Sequence, residues 1–421
     1  MLSSIAGEFW GGMPALIEIG EALNLTFFPP KKRYASNEIL SQILAIRFHR
    51  YRRRYLTALK RTQASVAMER AVVDNGPPNL GPRKVLVTGA SGFVGRSLIH
   101  RLLDQECQVS GLCRSTQPEL ESLGVEMKYV DLGNASSARE ACRGMDTVFH
   151  TAAKVGIWGS ISDFRKANVE GTQAIINGCR DFEVSKLVYT STPSVVFNGQ
   201  SLSGVDESLP YGSNIPCPYP ATKVIAEKAV LMAHGQPPGY LKTVALRPHL
   251  IWGPGDANLI PRVIDRARKG RLRIVGDGSN RVDLTYIENV VDAHLWAEAS
   301  LDNTTNSPGG KAYFISNDEP VSLWPWINEL LETRGIPHIE KKMDFQRAIR
   351  IGRLMETVWK ILNLRSEPPM TRFLASELAK DHWFDISAAK RDLAYQPRIP
   401  MRVGMEAFLR HDRGPMGSKF S

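Results

Sequence analysis

Tyr219 and Lys223 stand four residues apart in Tyr219-Pro220-Ala221-Thr222-Lys223, at the head of a helical stretch, Thr222–Met232. An i, i+4 spacing brings both side chains to one helical face. An ammonium beside a phenol favours the phenolate, so the pair predicts a tyrosine pKa lowered towards working pH. The hydroxyl would then exchange a proton with a carbonyl or an alkoxide. Such a pair is common on surface helices, and its meaning depends on what surrounds it. Upstream lie an apolar run, Leu187–Thr190, and the hydroxyls Ser191, Thr192 and Ser194, of which Ser191 and Ser194 suit the satisfaction of a turn backbone.

A second constellation is glycine-rich. Val85-Leu86-Val87 runs into Thr88-Gly89-Ala90-Ser91-Gly92-Phe93-Val94-Gly95 and then into a helical run, Arg96–Leu103. Glycines let the backbone approach a pyrophosphate, and the amino end of a helix offers free N–H groups and partial positive charge to an anion. Strand, turn and helix in that order make this a dinucleotide-binding turn, with the spacing G-x-x-G-x-x-G. His150, at the end of another apolar run, has no second metal ligand or nucleophile at a recognisable spacing and is expected to be packed and hydrogen-bonded. No metal is expected.

These residues need a frame, and the chain supplies one from Lys84 onward. Short β-branched runs alternate with helical stretches, the rhythm of a parallel sheet built from βαβ units. Strands are expected at Lys84–Thr88, Gln108–Leu112, Glu126–Val130, Thr147–His150, Lys186–Thr190, Val244–Arg247 and Ala312–Ile315. The fold class is α/β, a doubly wound parallel sheet with a smaller mixed C-terminal region and an N-terminal helical extension. Residues 1–82 read as basic extension and linker, 83–250 as the dinucleotide-binding domain with the catalytic centre. Residues 251–421 read as mainly substrate-binding, with parts returning to the first domain. The linker is Asn75-Gly76-Pro77-Pro78-Asn79-Leu80-Gly81-Pro82, whose glycines and prolines interrupt regular structure.

Composition narrows the class. Of 421 residues 43% are hydrophobic and 23% charged, the usage of a globular enzyme. The five cysteines form no C-x-x-C pair, so neither a disulfide framework nor a zinc site is suggested and a reducing compartment is expected. No apolar run is long enough to span a bilayer, and the amino terminus does not read as a secretory signal. The formal charge of +10 is concentrated. Between Ile39 and Met68 there is no acid, yet Arg47, Arg50, Arg52, Arg53, Arg54, Lys60 and Arg61 fall there beside an apolar stripe. A helix over residues 38–62 would suit an anionic membrane or a partner. The expectation is a cytoplasmic protein with this peripheral contact and without a nucleic-acid-reading module.

The glycine turn and the Tyr219/Lys223 pair together resemble the extended short-chain dehydrogenase/reductases, over about residues 84–410. The resemblance implies a Rossmann-type fold and binding of NAD or NADP. It places Thr192 as the hydroxyl orienting the substrate carbonyl, Tyr219 as proton donor, Lys223 on the nicotinamide ribose and Asn168 behind the active-site helix. The cofactor would meet Gly89, Ser91, Gly92, Phe93, Val94 and Gly95 at the pyrophosphate, and Asp131 and Leu132 at the adenine. Ala152, Ala153 and Lys154 would pass it at the end of the fourth strand, and Pro248 and Leu250 would lie near the nicotinamide. At the end of the second strand an acid would accept the ribose hydroxyl of NAD, whereas Cys113 and Arg114 stand there, so NADP(H) is expected.

A narrower likeness lies in His150–Gly159, Tyr189–Val195 and Glu367–Phe373. These resemble the 2-alkyl-3-oxoalkanoate reductases of bacterial long-chain olefin biosynthesis, kin of the 3β-hydroxysteroid dehydrogenases. The resemblance implies a long-chain β-keto acid or other apolar ketone as substrate, assembly with other olefin-pathway enzymes, and a homodimer. Sterol oxidation, nucleotide-sugar epimerisation and a non-catalytic NADP-binding sensor are the alternatives. A substrate carboxylate would want a cation, for which Lys154, Arg247, Arg262 and Arg281 are candidates. The stripe Phe345, Ile349, Gly352, Met355, Trp359, Leu362 either lines an acyl slot, meets a membrane or is plain core.

Overall fold

The computed structural model describes residues 76–213, 215–237 and 240–412, so the helix expected over residues 38–62 lies outside the described residues. All of these belong to a unit spanning Asn75–Ser421. Its frame is a sheet of seven parallel strands in the order β12-β7-β5-β4-β1-β2-β3. They are β1 (Lys84–Thr88), β2 (Gln108–Cys113), β3 (Glu126–Tyr129), β4 (Thr147–His150), β5 (Lys186–Thr190), β7 (Lys242–Pro248) and β12 (Ala312–Ile315). Strands buried on both faces read as continuous apolar runs, and Val85, Leu86 and Val87 are all fully buried. All seven expected strands form; β2 continues one residue to Cys113, and β7 spans Lys242 to Pro248.

Chain order reverses around β1, which pairs with β2 on one side and β4 on the other. A crevice opens at such a switch point beyond the carboxyl ends of the strands, and there ligands bind. Helix α1 (Phe93–Asp104) follows β1 directly. Between β4 and β5 run α2 (Ile161–Phe164), a π-helical turn (Arg165–Glu170) and α3 (Gly171–Asp181). Helix α4 (Pro218–Met232) precedes β7. The sheet is covered on both faces, by one cluster that includes Val85, Val87, Phe149 and Phe314 and another that includes Leu86, Val148, Ile175 and Tyr189.

The later part of the chain builds a second, mixed region. A four-stranded sheet joins β13 (Val321–Ser322), β10 (Arg281–Val282), β15 (His382–Phe384) and β6 (Leu202–Val205), and contains both parallel and antiparallel pairs. Its neighbouring core centres on Trp252, whose ring meets those of Tyr286 and Trp326 edge-on. Helix α5 (Ile287–Ser300) returns to the parallel sheet, as does β12. Helices α6 (Phe345–Ile361) and α7 (Arg372–Ala379) pack on each other. In the apolar stripe of α6, Phe345 and Ile349 join a small core with Val275, Ala348 and Ala375, while Leu362 is exposed.

Candidate active site

Two prolines start the helix that carries the proton-transfer groups. Pro218 and Pro220 lie in the first turn of α4, where a missing N–H costs no helical hydrogen bond and the fixed φ suits the helix. Tyr219 therefore sits at the amino end of α4, with Lys223 one turn further on the same face. Thr192 opens the short 3₁₀ turn that follows β5, and its hydroxyl accepts from Ser194 N at 3.2 Å. That hydroxyl also hydrogen-bonds Tyr219. The structure thus brings Thr192, Tyr219 and Lys223 to one place at the carboxyl end of the sheet.

Their electrostatics depart from the pattern expected from spacing alone. Lys223 is 1% exposed, and its Nζ donates to Thr190 O at 2.6 Å with the Tyr189 ring 4.1 Å away. Burial pushes the Lys223 ammonium down to about 7, against an upward pull from Glu227. Tyr219 moves the other way. Burial pushes its phenol up to about 12; the Thr192 hydrogen bond lowers it in part, and Cys217 raises it. The expected lowering of Tyr219 by Lys223 does not occur: desolvation sets the direction of the shift, and the ammonium donates to Thr190 O. Tyr219 rests as a neutral phenol.

Asn168 lies buried in the π-helical turn. Its Oδ1 accepts from Lys154 N at 2.7 Å, and its Nδ2 donates to Lys154 O at 3.1 Å and to Thr222 Oγ1 at 3.0 Å. It therefore ties the strand end after β4 to α4 through Thr222, the neighbour of Lys223. Insertion of a residue in a helix is frequent where a side chain must be aimed at a site. Nothing in the sequence marks the π turn or the part played by Thr222.

The cradle for a dinucleotide is present. Gly89 has φ +74°, and a Cβ there would lie 2.9 Å from the Ala152 backbone; at Gly95 it would lie 2.2 Å from Gly89 O. The turn can close this tightly only without side chains. Gly92 caps α1 without a side-chain hydrogen bond, which leaves the amino end of the helix open to an anion. Ser91, Phe93 and Val94 complete the turn. Arg114 is exposed just past β2 and makes no ion pair among the described residues. Cys113 is buried and its thiol donates to Ser115 O.

Asp131 Oδ1 accepts from Gly133 N at 2.8 Å, so part of its carboxylate closes its own turn; Leu132 beside it is buried. Ala152 and Ala153 are half-buried where the chain leaves β4. His150 is buried between Thr88 Oγ1 and Thr172 Oγ1, at 2.7 and 2.9 Å, and burial drives it down to about 3. It is a neutral packed histidine.

Pro248 ends β7, and Leu250 beyond it has φ +37°. Between them His249 is buried, its Nε2 2.6 Å from His382 Nδ1. His382 Nε2 lies 2.7 Å from Glu377 O and must donate to it, so its Nδ1 accepts from His249. This chain links α7 to the loop after β7 and joins residues 133 apart in sequence, a separation no local motif signals.

Of the candidate cations, all four already have partners. Arg247 is buried and paired with Glu227 through Nη2 at 2.6 Å and Nε at 3.1 Å. Arg281 lies over the Trp383 ring and donates to Pro320 O. Lys154 pairs with Asp163 at 3.6 Å and Arg262 with Glu367 at 3.1 Å, both partly exposed.

Residues 86–346 match the 3-beta hydroxysteroid dehydrogenase/isomerase family. A 2-alkyl-3-oxoalkanoate reductase of Stenotrophomonas maltophilia is 46% identical over 330 residues, covering 76% of this chain and 97% of that protein. One of Shewanella oneidensis is 44% identical over 324 residues, covering 76% and 84%. The solved structure of MoeE5 in complex with UDP-glucose and NAD superposes with a TM-score of 0.60 at 24% identity, covering 78% of this chain and 98% of that one. At that identity it shows the fold alone.

Proposed function

The chain belongs to the 3-beta hydroxysteroid dehydrogenase/isomerase family and is an NAD(P)-dependent oxidoreductase, and from that premise we propose that it reduces the 3-oxo group of a 2-alkyl-3-oxoalkanoate with NADPH. The observation that carries this reading is Tyr219. A phenol whose pKa is pushed up to about 12 is protonated at any working pH, as the acid in a ketone reduction must be.

When bound, the cofactor supplies the hydride. The turn from Gly89 to Gly95 would hold its pyrophosphate and Arg114 a 2′-phosphate, with Asp131 and Leu132 at the adenine. Ala152, Ala153, Lys154, Pro248 and Leu250 would flank the nicotinamide end, and Lys223 its ribose. Thr192 and Tyr219 donate hydrogen bonds to the substrate oxygen, on which negative charge gathers as the carbon is reduced. Tyr219 then gives up its O–H proton to that oxygen and the ketone becomes the alcohol. Charge on Lys223, at hand below its pKa, stabilises the phenolate left behind.

The 2-alkyl-3-oxo acid is favoured by the two relatives of that name, which the chain covers nearly end to end in one case. The cofactor choice is favoured by the exposed guanidinium of Arg114 at the end of β2, which makes no ion pair among the described residues. Purified protein should oxidise NADPH when given a 2-alkyl-3-oxo acid, and NADH much more slowly. Arg114→Asp should weaken NADPH binding by roughly tenfold or more, the scale of a charge-assisted phosphate contact, with little effect on NADH. Turnover of a 3β-hydroxysteroid without turnover of the keto acid, or an unchanged preference in Arg114→Asp, would overturn the corresponding part.

A further inference from the structure

The outer face of α6 carries charge of one sign. Arg347, Arg350, Arg353 and Lys360 are exposed along it at spacings of three and seven, and its single acid, Glu356, is turned inward. There Glu356 is buried and accepts from Arg372 N at 2.7 Å and Arg372 Nε at 2.8 Å. Between the cations stand aliphatic side chains open to solvent: Leu354 is 65% exposed and Ile361 76%. The chain then runs exposed from Ile361 to Ser366, adding Leu362 at 61%, Leu364 and Arg365.

This surface adjoins the segment that follows β4, which in turn touches the amino end of α4. Trp158 Nε1 donates to Leu364 O at 3.1 Å, which draws the segment after β4 against it. That segment adds Val155 and Ile161, 61% and 50% exposed. The carbonyls of Gly156 and Ile157 in the same segment lie 3.9 and 3.7 Å from the thiol of Cys217, two residues before Tyr219. The acids nearest by are Asp344, the exposed cap of α6 whose Oδ1 accepts from Arg347 N at 2.9 Å, and Asp163 and Glu367, which face Lys154 and Arg262.

We propose that this face seats the protein on an anionic phospholipid bilayer. Leu354, Ile361, Leu362 and Leu364 enter the boundary between headgroups and acyl chains, and Arg347, Arg350, Arg353 and Lys360 meet the lipid phosphates. Exposed aliphatics among an excess of cations, with Asp344 at the head of α6 held as its cap, match such a surface in both hydrophobicity and charge. A soluble partner surface would usually offer both signs of charge at its rim. Docking in this pose brings the segment beside Cys217 and Tyr219 towards the lipid, which shortens the path of an apolar substrate through water. The docking rests on the surface alone and goes beyond the proposed reaction.

Co-sedimentation of the full chain with vesicles tests it, using phosphatidylcholine alone or mixed with phosphatidylglycerol. Residues 39–61 bring seven further cations, so the decisive arms are two double variants on α6, Arg350→Glu with Arg353→Glu and Leu354→Asp with Ile361→Asp. The expected result is salt-sensitive binding of the wild type to the anionic vesicles only. Each variant should lower the apparent affinity by roughly tenfold or more, the scale set by losing two surface cations or two inserted side chains. An unchanged thermal transition shows that the variants are folded, as expected for exposed positions. No vesicle binding by the wild type, or equal binding by the folded variants, overturns the proposal. So does a change confined to sedimentation velocity, which would make a second copy of the chain the occupant. Because the readout is vesicle binding, it stands or falls independently of which ketone is turned over.

Discussion

With its ammonium buried against a single carbonyl, Lys223 loses its proton near pH 7, whereas Tyr219 holds its own to about 12. The two groups therefore titrate in opposite senses from their ordinary values, and only the lysine does so where enzymes are assayed. Since kcat/KM reports the free enzyme, reduction should fall as pH rises through about 7 as Lys223 is discharged. The phenol should show no break in that range. A profile flat from pH 6 to 9 would remove Lys223 from the reaction. The same shift has a consequence for stability. Above about 7 the folded lysine is neutral, while the unfolded one stays charged up to its ordinary 10.5. The unfolded state holds the extra proton, so this group's contribution to stability rises with pH across that window. The residue types at 192, 219 and 223 and their spacing were legible in the sequence. The sign of the Tyr219 shift was not, because desolvation depends on how completely the fold closes over the phenol, which no local spacing records.

Strands and the first glycine turn are the elements most open to inference from sequence, and the reason is burial. Parallel strands covered on both faces must be apolar throughout, so β1, β4, β5 and β12 announce their limits in the chain itself. The π-helical turn at Arg165–Glu170 has no such signature. It is a change in hydrogen-bond register that aims one side chain, Asn168, and its partners are backbone groups of Lys154 and the hydroxyl of Thr222. Asn168→Ala would leave the part-buried N–H and C=O of Lys154 without this partner, while Thr222 Oγ1 keeps Pro218 O and Tyr219 O, and would release α4 from the strand end after β4. A stability loss of about 1–3 kcal/mol is expected from the unsatisfied groups. Turnover should suffer out of proportion, with kcat reduced by roughly tenfold or more and KM for the ketone little changed, since a small misplacement of a proton donor costs more rate than binding. Denaturant unfolding and steady-state kinetics on the same preparation check both parts. An equal loss in wild-type-like proportion to the folded fraction would mean that Asn168 only holds the fold.

At the scale of the whole chain, the question is where the catalytic unit begins. The glycine and proline run from Asn75 to Pro82 reads as a linker with Arg83 as the first residue of the next domain, yet docking starts earlier. Leu80 is 6% exposed within the sheet core, and its N–H donates to Gln105 Oε1 at 3.3 Å. The Cys107 thiol reaches Gly81 O at 3.2 Å. Arg83 pairs with Glu298, a fully buried carboxylate on α5 that also takes Lys186 at 3.1 Å and Thr147 at 3.1 Å. A linker's composition states that the chain can bend, and a single leucine within it is too weak a pattern to show that one side of the bend is packed. Two truncations separate these readings. A chain starting at Gly76 keeps all of these contacts and should retain its melting temperature and its kcat/KM. One starting at Lys84 loses the buried Leu80, worth about 1.5–3 kcal/mol. It also removes one of the cations that balance Glu298, and breaking a buried pair is costly because the remaining charge is left uncompensated. A fall in melting temperature of roughly 5 °C or more is the expected result for a unit of this size, and Glu298→Gln in the shorter chain should recover part of it. Equal melting of the two truncations would mean that neither Leu80 nor Arg83 contributes to the stability of the catalytic unit.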